Sequence, residues 1–348
     1  MYEELSFLAA VLVEQNAPLE LLRLHLPKTL APGQVVVDFK AASICGAQIN
    51  EISGAKGPDR FLPHLLGHEG AGIVSAIGPG VQTVQPGDRV VAHWRKGPGI
   101  ETAPPRYLSD KGKEVGGGWI TTFNERAIIS ENRLTLIPPD IPWNVAALMG
   151  CAVTTGAGLI THEADLKLGE SVMVLGVGGV GMSVVMAAKA AGAGRIVAFD
   201  KSDPKLRLAA DLGADECANT SIDSQWNWNG RKFDVVVECT GVPEMIDFGL
   251  IHTAPNGGRL ILVGQPRIGN HVLFSDFRQH YFGKTIKDSL GGSTIPDRDI
   301  PRYINLWRNR RLAAEQLITH SIPLEEINSG IDKVRKGEVT GRCVITMG

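Results

Sequence analysis

The sequence predicts an α/β protein in two parts: a doubly wound parallel sheet with helices on both faces, and a second, mostly β domain. Three observations carry this expectation. Short alternating apolar runs separated by turn residues fill the chain from Ala9 to about Ala152. Near Thr154 the texture changes to strand-like runs that alternate with helical stretches of period 3.6. Between the first of those strands and its helix lies a glycine-rich turn, GVGGVG, Gly176 to Gly181. A length of 348 residues is long for one core and suits this division. The expected boundaries are 1–153 for the β domain, 154–290 for the parallel sheet, and 291–348 for a segment that returns to the first domain.

In the first part the β-like runs are AAVLVE, QVVVDFKAASI, GAGIVSAIG and DRVVAHW. Turns such as APGQ and QPGD separate them, with Pro setting the first angle and Gly relaxing the next. In the second part Val172–Leu175, Arg195–Phe199, Phe233–Glu238 and Arg259–Val263 are the strand candidates, and a helical stretch between each pair implies parallel pairing. CVITM, Cys343 to Met347, is a final strand.

Composition narrows the function. A net charge of −2 with 21% charged residues gives no electrostatic footprint for nucleic acid or an anionic membrane. MYEELSFLAAVLVEQ has neither the basic start nor the cleavage site of a secretory signal, so a cytoplasmic protein is expected. Five scattered cysteines in such a chain favour metal binding or burial over a disulfide framework.

Gly176, Gly178 and Gly181 form a G-x-G-x-x-G turn directly after an apolar strand. The first glycine permits a tight turn, the second lets backbone approach a pyrophosphate, and the third lets helix pack on strand. RIVAFD ends in Asp200, nineteen residues past Gly181, where a carboxylate suits the ribose hydroxyls of NAD and repels the extra phosphate of NADP. Lys201 stands beside it, and Lys205 is placed to reach the adenosine ribose.

PHLLGHEGAGIV sets His68 beside Glu69 in a glycine-rich turn, which is more often structural than metal-binding. With Cys45 and Cys151, His68 would complete a two-thiolate, one-imidazole set suited to a catalytic zinc with an open position. Spacings of 23 and 83 residues form no local finger, so spacing alone does not demonstrate a site.

The chain resembles the zinc-dependent alcohol dehydrogenases of the medium-chain dehydrogenase/reductase superfamily, nearest the glutathione-dependent formaldehyde dehydrogenase branch and its bacterial relatives. The resemblance runs through the segment at Cys45, GHEGAGIV, PGDRV, GCAVTTGAG, GVGGVG and GGRLILVG. It implies a GroES-like catalytic domain beside a Rossmann NAD-binding domain. It implies that Cys45, His68 and Cys151 bind one catalytic zinc, with Glu69 as a nearby or exchangeable group. Gly179, Val180 and Val263 join the glycine loop, Asp200 and Lys205 in holding NAD, and Arg342 in TGRCVI reaches the pyrophosphate. Homodimers or homotetramers, paired through the cofactor domains, are implied as well. The expected reaction is reversible hydride transfer between NAD and an alcohol, in a cleft between the domains, with the aldehyde or ketone as the other partner.

Two departures stand out. No cysteine lies between Cys45 and Cys151, so the four-cysteine structural zinc of many relatives cannot be bound that way. The segment in its place, His93 to Glu125, reads as a surface loop, or as a substrate-seating region using Arg95, Lys96 and Arg106. Ala47 stands where relatives carry a relay hydroxyl, and Asn50 does not titrate. His93 is the candidate substitute for the relay, with Trp94 as a pocket wall, against the plainer reading of a buried structural histidine. A zinc-free quinone or enone reductase of the same fold, or a non-catalytic relative, are the competing readings. Cys217, Cys239 and Cys343 are expected as small core residues.

Overall fold

A computed structural model describes residues 6–55, 57–222, 228, 230–275, 278 and 282–348. The chain forms two compact units, one of Met1–Cys151, Ile295–Ile304 and Ile318–Gly348, the other of Ala152–Thr294 and Asn305–Leu317. Among the described residues no helix is long and apolar enough to cross a membrane.

The first unit opens with β1 (Ser6–Leu12), β2 (Glu20–His25), β3 (Gln34–Ser43), α1 (Gly46–Ile52), β4 (His64–Leu65), β5 (Glu69–Ile77) and β6 (Arg89–His93). It continues through β7 (Arg106–Ser109), β8 (Glu114–Gly116), β9 (Arg126–Ser130), β10 (Leu134–Leu136) and α2 (Trp143–Leu148). Strands β1, β2, β7, β8 and β4 close a small barrel. Strand β3 explains the second sheet. Its sequence QVVVDFKAAS is apolar on both faces and almost wholly buried, as a central strand must be. It pairs antiparallel with β5 and β9. Gly72 lies opposite Phe39 in the first of those ladders. A Cβ there would stand 2.3 Å from the Asp38 carbonyl oxygen, so the glycine of GHEGAGIV is required by close approach of two backbones. Phe39, Val35, Val37, Phe123 and Ile129 anchor the core beneath.

The second unit holds α3 (Ala152–Gly158), β11 (Ser171–Leu175), α4 (Gly179–Ala190), β12 (Arg195–Asp200), α5 (Asp203–Leu212), β13 (Glu216–Asn219), β14 (Val235–Glu238), α6 (Pro243–His252), β15 (Arg259–Leu262) and β16 (Thr285–Asp288). Its strands are all parallel, in the order β13-β12-β11-β14-β15-β16. That order reverses direction between β11 and β14, and a ligand crevice opens outside the carboxyl ends of strands at such a switch point. Met173, Leu175, Val197, Phe199 and Val236 pack the core behind it. The remaining strands, β17 (Ile318–Pro323) and β18 (Arg342–Thr346), belong to the first unit, where β18 adds antiparallel to β3 with Val344 opposite Ser43.

Of the three cysteines expected in cores, Cys343 is fully buried in β18 and Cys239 is half-buried. Cys217 is a correction: it is exposed, because β13 is the outermost strand of its sheet.

Candidate active site

Three junctions between elements bring the expected ligands together. Cys45 follows β3 in extended conformation (φ −100°, ψ 146°) and caps α1, its carbonyl accepting from the Gln48 N–H at 3.0 Å. His68 sits between β4 and β5, presented by Gly67 at φ +91°. A Cβ on Gly67 would lie 2.3 Å from Thr122 Oγ1, so no other residue fits that turn. Cys151 follows α2 and Gly150, where a Cβ would strike the Ala92 carbonyl at 2.5 Å.

The ligand atoms of Cys45, His68 and Cys151 all lie within 4.8 Å of one another. Two thiolates on a tetrahedral zinc stand about 3.8 Å apart, from a bond length of about 2.3 Å, so the cluster is of the right size. The donor set is also right, two soft sulfurs and one imidazole. Both cysteines are buried. A hydrogen bond from Cys151 holds the Cys45 thiol well below its usual range, against burial, which opposes it, and with help from His68 and the charge of Arg342. A buried thiol that ionises readily is primed as a metal ligand. Residues and group therefore fit.

Glu69 is wholly buried and faces the Arg342 guanidinium. Arg342 also donates to Ser43 Oγ, from Nη2 at 2.7 Å and from Nε at 3.1 Å. The arginine expected to reach a pyrophosphate thus spends Nε and Nη2 within the first unit. Removing either partner of such a buried pair leaves an uncompensated charge, at a cost of about 3–5 kcal/mol.

His93 pairs across from Glu69 in the β5–β6 ladder but has no nitrogen to offer a substrate. Its Nδ1 bonds the Arg95 carbonyl at 2.8 Å and its Nε2 meets Thr135 Oγ1 at 2.9 Å. Burial pushes its pKa down to about 4, so the ring is neutral near pH 7. The plainer reading of His93 as a structural histidine fits this geometry, and the relay reading does not. Of the basic side chains considered for substrate seating, Lys96 is paired with Glu101, and Arg106 lies 3.4 Å from Glu114.

A buried polar hub holds the segment around Ile100. Glu131, 1% exposed, accepts from the N–H groups of Gln82 (2.7 Å), Thr83 (2.9 Å) and Ile100 (2.7 Å) and from Thr83 Oγ1 (3.0 Å). Arg133, also buried, donates to Glu101 at 2.9 Å and to the Trp94 carbonyl.

Sequence reasoning missed Gln48, whose Nε2 lies 3.1 Å from His68 Nδ1. A faint signal existed. Gln48 stands three residues past Cys45 at the start of a helix, a spacing that puts side chains on one face.

In the second unit each glycine of the turn has a distinct physical reason. Gly176 adopts φ +87°, and a Cβ there would lie 2.5 Å from Thr240 Cγ2. Gly178 has nothing within 4 Å, so its backbone is open to approach. A Cβ on Gly181 would come within 2.0 Å of the Gly176 carbonyl, which fixes how closely α4 packs on β11. Gly179 and Val180 open α4. Asp200, at the end of β12, accepts from the Val177 N–H and from the Ser202 N–H, each at 3.0 Å. Lys205 is half-buried on α5, and Val263 follows β15, its N–H donating to the Glu238 carbonyl at 2.9 Å.

Residues 31–139 match the alcohol dehydrogenase GroES-like domain family, and residues 179–309 match the zinc-binding dehydrogenase family. Alcohol dehydrogenase 6 of Peromyscus maniculatus is 30% identical over 377 residues, covering 97% of this chain and 96% of that protein. Alcohol dehydrogenase class-3 of Cereibacter sphaeroides is 29% identical over 374 residues, covering 97% and 99%. The crystal structure of benzyl alcohol dehydrogenase from Acinetobacter calcoaceticus superposes with a TM-score of 0.87 at 26% identity, covering 99% of this chain and 100% of that one. Two matched domains in succession, and likeness to alcohol dehydrogenases from end to end, establish that the chain is an oxidoreductase of the zinc-dependent alcohol dehydrogenase family, within the medium-chain dehydrogenases/reductases.

Proposed function

We propose that the protein oxidises an alcohol reversibly with NAD, at one catalytic zinc held by Cys45, His68 and Cys151. The observation that carries this reading is the closure of those three side chains to within 4.8 Å. When bound, zinc supplies a Lewis acid that favours the deprotonated alcohol and polarises the carbonyl, while NAD takes or returns the hydride. The chain's own residues bind and orient. Glu69 and Arg342 sit beside the ligands as a buried charge pair, with Glu69 the exchangeable group. The N–H groups at the start of α4 seat the pyrophosphate, and Asp200 takes the ribose hydroxyls, with Lys205 reaching the adenosine ribose and Val263 among the cofactor-binding residues. Ala47 offers no hydroxyl, so proton release does not pass through that position. A zinc-free reductase would not need two buried cysteines and a histidine gathered on one point.

The test is NADH formation from a panel of aliphatic, aromatic, polyol and sugar-derived alcohols, with zinc counted per chain. NADH with none of them, on protein carrying about one zinc as a three-ligand catalytic site requires, would end the reading. For the cofactor, Asp200→Asn is expected to raise KM for NAD by about tenfold to a hundredfold, the worth of a charge-assisted hydrogen bond, and to narrow the preference over NADP. An unchanged NAD/NADP ratio would remove Asp200 from cofactor choice.

We also infer a homo-oligomer paired through β16. All four of its residues are exposed, Ile286 among them, and among the described residues it pairs with β15 alone, which makes it the edge of the sheet. Light scattering should give at least twice the chain mass of 37.3 kDa. A monomer would refute the pairing. Five free cysteines suit a reducing compartment, and we place the protein in the cytoplasm; fractionation into an oxidising compartment would contradict this.

A further inference from the structure

Glu238 closes β14 and is wholly buried. Among the described residues its side chain accepts hydrogen bonds only from Thr240 and Gly241, in the turn that follows the strand. Oε1 accepts from the Thr240 N–H at 2.6 Å, from the Gly241 N–H at 3.1 Å and from the Thr240 hydroxyl. Oε2 accepts from the same Gly241 N–H at 3.1 Å. Thr240 Oγ1 in turn accepts from the Val242 N–H at 3.0 Å, which leaves its own proton for the carboxyl. A carboxyl buried without a cation is costly to keep, and an apolar side chain would fill the end of a central strand without that cost. What the carboxyl supplies instead is a fixed turn.

Two neighbouring strand ends are tied to that turn. The Glu238 carbonyl accepts from the Val263 N–H at 2.9 Å and from the Gly264 N–H at 3.0 Å, just past β15. A Cβ on Gly264 would stand 2.0 Å from the Gly241 nitrogen, so these two segments approach through backbone alone. On the other side the Cys239 N–H donates to the Leu175 carbonyl at 2.8 Å, at the end of β11. Thr240 Cγ2 lies 2.5 Å from where a Cβ on Gly176 would stand, which sets its methyl against the first glycine of the cofactor turn. These ends border the crevice at the switch point between β11 and β14. Asp200 steadies the same glycine turn from β12, by accepting from the Val177 N–H.

We propose that Glu238 is a positioning residue for the dinucleotide: acting through Thr240, it holds the β14 wall of the crevice against Gly176 and so fixes the cofactor seat. This rests on the NAD reading above and deepens it. The seat is then framed by two carboxylates, Asp200 at the end of β12 and Glu238 at the end of β14, each bonded to backbone N–H groups of a turn.

The test is a fluorescence titration of the full chain with NADH, alongside KM for NAD with any alcohol the protein accepts. Glu238→Ala should raise the NADH dissociation constant by about tenfold, the worth of hydrogen bonds to a carboxylate. KM for NAD should rise alike, and kcat should not fall. Zinc content should stay the same, because all three ligands lie in the other unit. Glu238→Gln, which keeps an oxygen for Thr240, should recover most of the affinity. Adding Thr240→Val to Glu238→Ala should weaken binding by less than about twofold further, because the hydroxyl has already lost its acceptor. An unchanged dissociation constant in Glu238→Ala, even with a lowered melting temperature, would leave Glu238 a purely structural residue and overturn the proposal. Effects of the two substitutions that multiply overturn it as well. Should Glu238→Ala fail to fold, Thr240→Val decides alone: it keeps a methyl against Gly176 and loses only the hydroxyl, so affinity should fall by about threefold, and no change refutes the role. A protein that binds no NADH sinks the cofactor reading and this role together, whereas equal binding by wild type and variants sinks only the role of Glu238.

Discussion

Cys45→Ala is expected to leave the purified protein without bound zinc and to lower kcat/KM by about 10³-fold or more, since Lewis-acid stabilisation is worth several kcal/mol. The reason is geometric. Cys45 contributes one of two sulfurs to a three-ligand cluster, and two ligands cannot hold a zinc that keeps an open position for substrate. The thiol is also the group whose ionisation the surroundings favour, through Cys151, His68 and Arg342. Metal analysis and steady-state kinetics on the same preparation check both halves. Full zinc content, or turnover within about tenfold of wild type, would show that Cys45 is not a ligand. The fold should survive, because α1 is capped at this position by backbone rather than by the sulfur.

Glu131 is the other position where one side chain should matter most, this time for stability. Four donors converge on its two oxygens, three of them backbone N–H groups that no alanine could satisfy. Glu131→Ala should cost about 3–5 kcal/mol, and the melting temperature of the first unit should fall by roughly 10 °C. Glu131→Gln keeps one oxygen and turns an amide N–H toward a donor, so it should cost less, about 2 kcal/mol. The pH dependence follows from the shifted carboxyl. Burial pushes it up, but the N–H groups of Ile100, Gln82 and Thr83 and the Thr83 hydroxyl outweigh burial and hold it below its usual range. A carboxyl that ionises more readily when folded contributes stability above its unfolded pKa of about 4.3. That contribution is lost as pH falls through the lower folded value. The gap between wild type and Glu131→Ala should therefore stay constant from about pH 8 to pH 5 and close only in stronger acid. A gap that closes on the alkaline side, or is absent at pH 7, would remove Glu131 from this role.

Local signals were legible in the chain and long-range ones were not. The turn at Gly176, Gly178 and Gly181 could be read directly because each glycine answers a demand set by its near neighbours, a left-handed turn, an open approach and a contact with Gly176 itself. Asp200 followed because it ends the next strand. The metal cluster needed the resemblance, since Cys45, His68 and Cys151 are joined only by the folding of β3, β5 and α2 around one another. Cys217 was misjudged because an apolar run does not reveal that its strand lies at the rim of the sheet. His93 looked available because it ends the RVVAH run, but the fold brings the Thr135 hydroxyl of β10 to its Nε2, a partner forty-two residues away. Gln48 escaped because its spacing from Cys45 is only a faint signal and its partner Gly67 is nineteen residues away.

The hub at Glu131 and Arg133 also bears on how the protein responds to its supply of metal. Where four thiolates hold a lobe together, a chelator dismantles architecture and catalysis at once. Here the corresponding segment is fastened by carboxylate, guanidinium and backbone, none of which a chelator removes. Stripping the metal should then silence the protein without unravelling it. Activity lost to a chelator should then return on resupply of zinc, with the melting temperature of the first unit little changed.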